Sequence, residues 1–550
     1  MSSTFDGLFI ARSGVRAARA SLNITGQNIT NSTTPGYTRQ RVDQAAVTPP
    51  STNSFYSWAG GAVSGQGADA YDTSQLRDAF LDGEYRLQNA LGGESSALAA
   101  ALEPLEDIFT YTTTADSSDE VSTVDVLSNE LSNLISQMQN LTSGKSDASE
   151  SVIRDAADQL AKKFNIAAKG LETAREQQYD ALSEHAVPQV NELLSGIAAL
   201  NGQIKNAEVS GGSALELRDQ RNLKLDELSQ YMDIRVEETE VDVGSGKTVH
   251  ELNVYLADKD GNALEDGDGN PEFTLVSNKK YAQVSVFQDA DAKALTHARL
   301  SGLTEDGETF DTAKAEFQNA DLQSGSLAGY LKLLNENGEY DISDTQTTAT
   351  FRGIGYYSKL LDTLAQTFAT TMNGLNSTTD AQPDKPLFTS NGFSADGITA
   401  RNLQISSDWT SGYLTMSKDA ANAGDDTSTS YSNITNMIAA LTSDEYTLET
   451  KPGEEGSDPF FTGTIQKAFM NVPTSLARSV AGVKSTDADN ANRLDDIDTS
   501  RQSISSVSID DEAVSLVQYN QALTAAARFM TAVDECLQTI ISSMGVAGRG

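Results

Sequence analysis

The two ends of this 550-residue chain each carry a long stripe of apolar residues with the spacing of a coiled coil. Steps that alternate between three and four residues place side chains on one narrow seam of an α-helix. The N-terminal stripe consists of Leu8, Ala11, Val15, Ala18, Leu22, Thr25 and Ile29. The C-terminal stripe consists of Leu516, Tyr519, Leu523, Ala526, Met530, Val533, Leu537, Ile540 and Met544. A helix with so narrow a seam needs a partner, so the stripes predict that the two ends pair.

The charges of the two ends support this pairing. Residues 1–45 hold five Arg and two Asp, whereas residues 505–550 hold two Arg and five acidic residues. Ser508, followed three positions later by Asp511, is typical of a helix start, and Gly545 is typical of a helix end. Two interpretations remain open: an ordinary bundle within one chain, and a helix pair that also packs against other copies.

The segment "NSTTPGYTRQR" at residues 31–41 follows the first helix directly and is basic in an otherwise acidic chain. Pro35 forbids continuation of the helix, and Pro35 with Gly36 predicts a type II turn. If the chain is extended after the turn, one face presents Tyr37, Arg39 and Arg41. We expect these side chains to clasp the acidic C-terminal helix or an acidic neighbouring copy.

Helical periodicity dominates the chain and is interrupted twice. From about residue 236 the apolar period changes from 3.6 to 2, with hairpin signals, and residues 377–460 are rich in Ser, Thr, Asp and Gly. The sequence therefore predicts an α+β fold in which a helical trunk and terminal coiled-coil helices, formed from both chain ends, carry β-rich insertions in the middle. The expected divisions are a terminal helical domain (1–35 and 505–550), a helical trunk (36–235, 326–376 and 461–504), a β-rich insertion (236–325) and a smaller loop- and β-rich insertion (377–460).

Composition excludes several classes of protein. The net charge of −39 argues against a nucleic-acid partner, because phosphate binding needs a basic surface. No apolar run is long enough for membrane insertion, and arginines interrupt residues 1–30, so we expect no cleaved Sec-type signal. The single cysteine, Cys536, excludes an intrachain disulfide. Because it adjoins Leu537 on the flank of the seam, we expect it to be buried.

Three stretches partly match known functional motifs, but each lacks a residue that its motif requires. In "VDVGSGKT" at residues 241–248, Val241 stands where a phosphate loop requires its first Gly, so a hairpin turn is the better interpretation. In "DKDGNALEDGDGNPE" at residues 258–272, Ala263 stands where a calcium loop requires Gly. "HELNV" lacks the second histidine of a zinc protease, and the histidines are widely spaced: His185, His250 and His297. The sequence predicts no catalytic residue, cofactor or metal.

The terminal motifs together resemble those of the bacterial flagellar axial proteins. The segment "LNITGQNITNSTTPGYTRQR" is similar to the asparagine-rich helix end and T-P-G-Y-x-R-Q segment of that family, and looks most like its hook-associated junction members. The closing "VSIDDEAVSLVQYNQALTAAARFMTAVDECLQTII" is similar to the family's last helix, and the trunk contributes "LRDAFLDGEYR", "LEPLEDIF" and "LRDQRNLKLDELSQYMDIRV". Cys536 and the stretch Thr25-Gly26-Gln27 depart from the family's usual pattern.

The resemblance implies a non-enzymatic structural subunit at the junction between hook and filament, needed for filament assembly and motility. It implies export through the flagellar type III pathway and an extracellular location. The implied partners are further copies of the chain in a helical oligomer, the hook protein, the second hook-associated junction protein and an export chaperone on the C-terminal helix. Other axial proteins (hook, distal rod, second junction protein or flagellin) remain alternatives, as does a secreted adhesin or enzyme anchored by the trunk.

Overall fold

The structure is a computed structural model, and it describes residues 6–47, 67–114, 121–145, 149–244, 248–266, 269–288, 295–304, 321–338, 351–376, 385–417, 431–449 and 459–546. It confirms the α+β class, with about 62% helix and 17% strand. The helices are α1 (Asp6–Asn31), α2 (Ala79–Phe109), α3 (Val126–Thr142), α4 (Glu150–Asp180), α5 (Val187–Val209), α6 (Leu215–Ser229), α7 (Ser326–Asn335), α8 (Ile354–Asn376), α9 (Ser432–Thr442), α10 (Ile465–Ser505) and α11 (Ile509–Val546).

The strands form small antiparallel sheets, as expected for chains joined by short turns. Their bounds are β1 (Gln40–Ala46), β2 (Ala68–Gln75), β3 (Thr110–Thr114), β4 (Val121–Asp125), β5 (Ile234–Asp242), β6 (Thr248–Leu256), β7 (Thr274–Ser277), β8 (Lys280–Tyr281), β9 (Val284–Gln288), β10 (Thr296–Leu300), β11 (Phe388–Ser390), β12 (Leu403–Ile405), β13 (Tyr446–Glu449) and β14 (Pro459–Gly463). Four of these, β5 to β8, pair in chain order in one sheet.

A large apolar core forms the helical trunk. Buried side chains of α2, α3, α4, α8, α9 and the first half of α10 belong to it, and Phe164 packs edge-on against Phe469 with ring centroids 5.4 Å apart. The segment after α8 also contributes to this core, through Phe388 of β11 and through Trp409. The same segment also contains the helix α9.

A second apolar core joins α5, α6 and α7 to the sheet of β5 to β8 and to the hairpin β9–β10. The change of period near residue 236 coincides with the start of β5, and the sheet of β5 to β8 packs on helices α5, α6 and α7. Gly93 of α2 shows how closely these parts approach, since a Cβ there would lie 2.0 Å from the carbonyl oxygen of Gln230. Only glycine fits at such a distance.

Strands also occur where the sequence indicated helices alone. The hairpin β1–β2 lies against α1, and β3–β4 joins α2 to α3. Neither β1 ("QRVDQAA") nor β2 ("ADAYDTSQ") alternates apolar and polar residues in a regular way. The period-2 signal on which a strand prediction depends is therefore missing from both.

Candidate assembly site at the chain termini

The two terminal helices pack against each other along their predicted seams. A Cβ placed on Gly7 would lie 3.3 Å from Val533 Cγ2, and one placed on Gly14 would lie 3.5 Å from Ala526 Cβ. Seven positions forward on α1 thus correspond to seven positions backward on α11, so the pair is antiparallel. Small residues on α1 allow this close approach. The predicted pairing of the chain ends is confirmed.

Burial along the seam is uneven. Ala11, Ala18 and Thr25 of α1 are buried, and Thr25, at 3% exposed, occupies its seam position although it is polar. Most of the predicted seam is only half-buried: Leu8, Val15, Leu22, Ile29, Tyr519, Leu523, Met530, Val533 and Leu537. Leu516 and Ile540 are exposed, and the side chain of Met544 lies outside the described residues. One partner helix therefore leaves much of the apolar surface of α11 uncovered.

A further face of α1 packs against the hairpin β1–β2, which the sequence did not predict. Asn28 is 1% exposed and exchanges hydrogen bonds with the Gln40 backbone: its Nδ2 donates to the carbonyl at 2.8 Å, and its Oδ1 accepts from the N–H at 3.1 Å. Gln44 Nε2 donates to Ser21 Oγ at 2.6 Å. Polar residues that interrupt the apolar pattern of α1 thus form this contact, and in the sequence they are its only visible sign.

The Pro35–Gly36 turn has the predicted geometry. The Tyr37 N–H donates to the Thr34 carbonyl at 3.2 Å, and Gly36 has φ +75°, as the third position of a type II turn requires. α1 ends at Asn31, and the turn redirects the chain toward α6. A Cβ on Gly36 would lie 3.3 Å from Leu223 Cβ of that helix.

The residues that follow the turn bind three different partners. Arg39 Nε lies 2.7 Å from Glu512 Oε1, and the Arg39 N–H donates to the Ser505 carbonyl at 2.9 Å, so this residue joins the end of α10 to the start of α11. The Tyr37 hydroxyl instead donates to Asn28 Oδ1 at 2.9 Å. Arg41 is exposed and pairs with Asp43 at 3.2 Å on its own strand. The predicted clasp to the acidic helix therefore exists within the chain, but Arg39 alone forms it.

The same segment is anchored to the trunk through a buried carboxylate. The Thr38 N–H donates to Asp219 Oδ2 of α6 at 3.1 Å. Burial raises the pKa of the Asp219 carboxyl to about 6, although the Thr38 hydrogen bonds and the Arg77 charge act in the opposite direction. Burial also raises the pKa of the Tyr37 hydroxyl, and nearby acidic charges, Asp219 first among them, add to this effect. The hinge between terminal helices and trunk is thus polar, packed and sensitive to protonation.

The second half of α10 contacts the trunk through polar groups rather than an apolar core. Asn490 Nδ2 donates to the Leu91 carbonyl at 3.1 Å. The Arg501 guanidinium lies 2.6 Å from Asp226 Oδ2 and 3.8 Å from the ring centroid of Tyr85. Burial in the core stops at Val480 on this helix.

Cys536 is exposed, so the prediction of burial is wrong. The described part of α1 begins at Asp6, and Gly7 already faces Val533, so no described residue of α1 lies across from Cys536. The thiol instead lines a shallow apolar groove of about 240 Å³ on α11. The sequence prediction that Cys536 is buried assumed that the partner helix α1 extends far enough to cover this position.

The apparent motifs of the central region are structural where the structure describes them. β5 and β6 pair from Ile234↔Leu256 to Asp242↔Thr248, which makes "VDVGSGKT" the predicted hairpin connection, although residues 245–247 lie outside the described part. Within the described ranges, no group of three or more His, Cys, Asp or Glu side chains could hold a metal ion. No described helix combines the length and apolar character that crossing a membrane requires.

Comparisons with known proteins agree with this arrangement. Residues 120–388 match the family model described as the helical domain of the flagellar hook-associated protein FlgK. The flagellar hook-associated protein 1 of Bacillus subtilis (strain 168) is 28% identical over 100% of both chains. The protein of the same name from Escherichia coli (strain K12) is 27% identical, over 62% of this chain and 53% of its own.

A solved structure shares the fold. The flagellar hook junction protein FlgK from Burkholderia pseudomallei superposes with a TM-score of 0.50 and 12% sequence identity, covering 78% of this chain and 100% of that chain. Because this match with the Bacillus subtilis protein covers the whole chain, it includes both terminal helices and the Pro35–Gly36 turn. The chain is thus similar to flagellar hook-associated protein 1 along its whole length, and to the helical-domain model of that protein across residues 120–388.

Proposed function

We propose that this chain is a structural subunit of the bacterial flagellum that joins the hook to the filament and is required for filament assembly and motility. The observation that carries the proposal is the alignment with a flagellar hook-associated protein 1 over the whole of both chains, terminal helices included. The antiparallel pairing of α1 and α11 supports it, because both ends of the chain then meet in one rod-like element. The role is one of assembly rather than catalysis.

Self-association follows from apolar surface that one chain cannot cover. α11 has α1 as its principal partner and leaves large apolar side chains exposed, namely Val514, Leu516, Val517, Phe529, Ile540 and Ile541. Exposed apolar stripes of this kind mark interfaces with other proteins. We assign the seam and the turn to contacts among copies of the chain in a helical oligomer, and at its two ends to the hook protein and the second junction protein.

The same exposed stripe explains why a chaperone would be needed before assembly. A long helix whose apolar face lacks a full partner is prone to aggregate, and a helix-binding protein covers such a face through its apolar positions. We therefore assign α11 as the chaperone-binding segment. Export would follow the flagellar type III pathway, and the assembled subunit would lie outside the cell at the hook–filament boundary.

Deletion of the gene tests the proposal directly. We expect hooks without filaments, unpolymerised flagellin in the medium and loss of motility, all restored by the gene in trans. Gold-labelled antibody against an epitope tag should mark only the boundary between hook and filament. Labelling along the whole hook or the whole filament would instead identify another axial protein. Normal filaments in the deletion strain would exclude the proposed role.

A further inference from the structure

A basic stripe on α1 takes no part in the contacts described so far. Arg12, Arg16 and Arg19 are four and three residues apart, so they share one face of the helix, and all three are exposed. Phe9, 60% exposed, continues this face toward the N-terminus. Among the residues that the structure describes, no carboxylate oxygen lies within 4.0 Å of these three guanidinium groups.

The position of the stripe on the helix explains why no described carboxylate pairs with it. Ala11 and Ala18 are buried on the side of α11, and Ala17 and Ser21 are buried on the side of the hairpin β1–β2. Successive residues of a helix are about 100° apart, so the three arginines lie on the remaining side, away from both of these contacts. Like charges in adjacent turns destabilise an isolated helix by a few tenths of a kcal/mol. The arginines thus contribute nothing visible to the fold of one chain.

A complementary acidic surface exists on the second half of α10. Asp489, Asp495 and Asp496 are exposed, and in the described part of the chain no cationic nitrogen lies within 4.0 Å of their carboxylates. Arg493 is exposed beside them and leaves the surface net negative. Asp489 and Asp496 are seven residues apart and share one face, as Arg12 and Arg19 do, so each pair spans about 10 Å along its helix at about 1.5 Å per residue. Asp495 lies on an adjoining side of α10, about 100° round the helix from Asp496.

We propose that the arginine stripe of α1 in one copy docks on this acidic surface of α10 in a second copy. The inference rests on the proposed function, since it names a contact within the assembled oligomer. Charge complementarity between surfaces of opposite sign selects correct partners and register more than it adds affinity. The contact would fix the terminal helix pair of one copy against the helix that leads into the terminal pair of the next.

Disulfide trapping tests the contact in the assembled flagellum. Cys536 is the only cysteine, so Cys536→Ser gives a clean background. Two chains with different tags, one carrying Arg16→Cys and the other Asp496→Cys, are produced together in the deletion strain, and intact flagella are oxidised with copper phenanthroline. We expect a mixed disulfide dimer that requires both variants and assembled flagella. The control pairs Arg16→Cys with Asp155→Cys, an exposed carboxylate on α4.

Charge reversal tests whether the contact matters for assembly. The variant Arg12→Glu/Arg16→Glu/Arg19→Glu should fold, with unchanged circular dichroism, but should occupy hooks at least tenfold less than the wild type. Adding Asp489→Arg/Asp495→Arg/Asp496→Arg should restore occupancy.

Three results would overturn the inference while leaving the proposed function intact: wild-type occupancy of the arginine variant, a defect that the aspartate exchange leaves unrepaired, or equal trapping with Asp155→Cys. Wild-type protein absent from the hook–filament boundary would instead mean that the proposed function itself is wrong.

Discussion

Arg39 and Glu512 form an ion pair of 2.7 Å across 473 positions of the chain, and this pair closes the junction between the trunk and both terminal helices. The Glu512 side chain is 3% exposed, so its charge has little contact with water. A buried carboxylate that loses its cation strongly destabilises its surroundings. Together with the Thr38–Asp219 hydrogen bond, this pair fixes the segment after the Pro35–Gly36 turn between the trunk and the start of α11.

Replacing Arg39 with Glu should release the terminal helix pair. Two carboxylates would then face each other at the start of α11, at a cost of about 3 kcal/mol for a broken buried pair. Hydrogen exchange should show faster amide exchange in the first turns of α11 and unchanged exchange in the trunk, and the variant should fail to restore motility to the deletion strain.

Arg41→Glu is the matched control for this substitution. Its side chain is 63% exposed and pairs only with Asp43 among the described residues, so its stability should change by less than about 0.5 kcal/mol. The sequence pattern assigned the two arginines equal importance, and the structure separates them. Equal exchange rates in the two variants would show that the Arg39 pair does not hold the junction. The exchange Arg39→Glu/Glu512→Arg should restore most of the lost protection.

Gly36→Ala should destabilise the hinge by about 1–2 kcal/mol. At φ +75° an L-residue is strained, and the new Cβ would lie 3.3 Å from Leu223 Cβ. Urea unfolding followed by the fluorescence of a probe on α1 measures this cost. Gly26→Ala is the control, because a Cβ there meets no atom within 4 Å inside α1. It should be neutral or stabilise the helix by up to about 1 kcal/mol. A neutral Gly36→Ala variant would contradict the turn geometry.

Features encoded over short distances could be predicted from the sequence. The seams depend on repeated spacing within one helix, and the turn depends on the adjacent Pro35 and Gly36, so both were visible without a structure. The partner of Arg39 was not, because Glu512 is distant in the chain and one of several acidic residues near the start of α11. Burial of Cys536 could not be predicted either, because it depends on how far the partner helix α1 extends along α11.

The hairpin β1–β2 could not be predicted, for a related reason. Its strands are mostly polar and half-exposed, and their stability comes from pairing with each other and from contacts with α1 such as Asn28 to Gln40. Local propensity and alternation carry no signal of such tertiary support. The polar positions Ser21 and Asn28 on an otherwise apolar helix were the available sign, because buried polar groups require partners.

Stability should decrease as the pH rises from about 4 to about 6. Three carboxyls, those of the half-buried Asp125 and of the buried Asp219 and Asp233, have their pKa values raised by desolvation from 3.8 to about 6. A group whose folded-state pKa is raised binds its proton more tightly when folded, so its contribution is present below the unfolded pKa and is lost above the folded one.

Asp219→Asn isolates one of these groups. Its free energy of unfolding, from urea titrations at several pH values, should fall less steeply between pH 4 and 6, by up to about 1.4 kcal/mol per pH unit. The exposed-site control Glu445→Gln should keep the wild-type slope. Parallel curves of unfolding free energy against pH for Asp219→Asn and the wild type would show that folding does not raise the pKa of the Asp219 carboxyl.

Removing residues 508–550 should leave a folded, soluble trunk that cannot assemble. Neither apolar core contains a residue of α1 or α11, so the deletion removes no core side chain. The main thermal transition should move by less than about 4 °C, which corresponds to about 1 kcal/mol in a domain of 150–250 residues. α1 should lose protection from hydrogen exchange, because an isolated helix with a narrow seam is marginal in water. A truncated chain that still restored filaments would show that the paired terminal helices are not the assembly element.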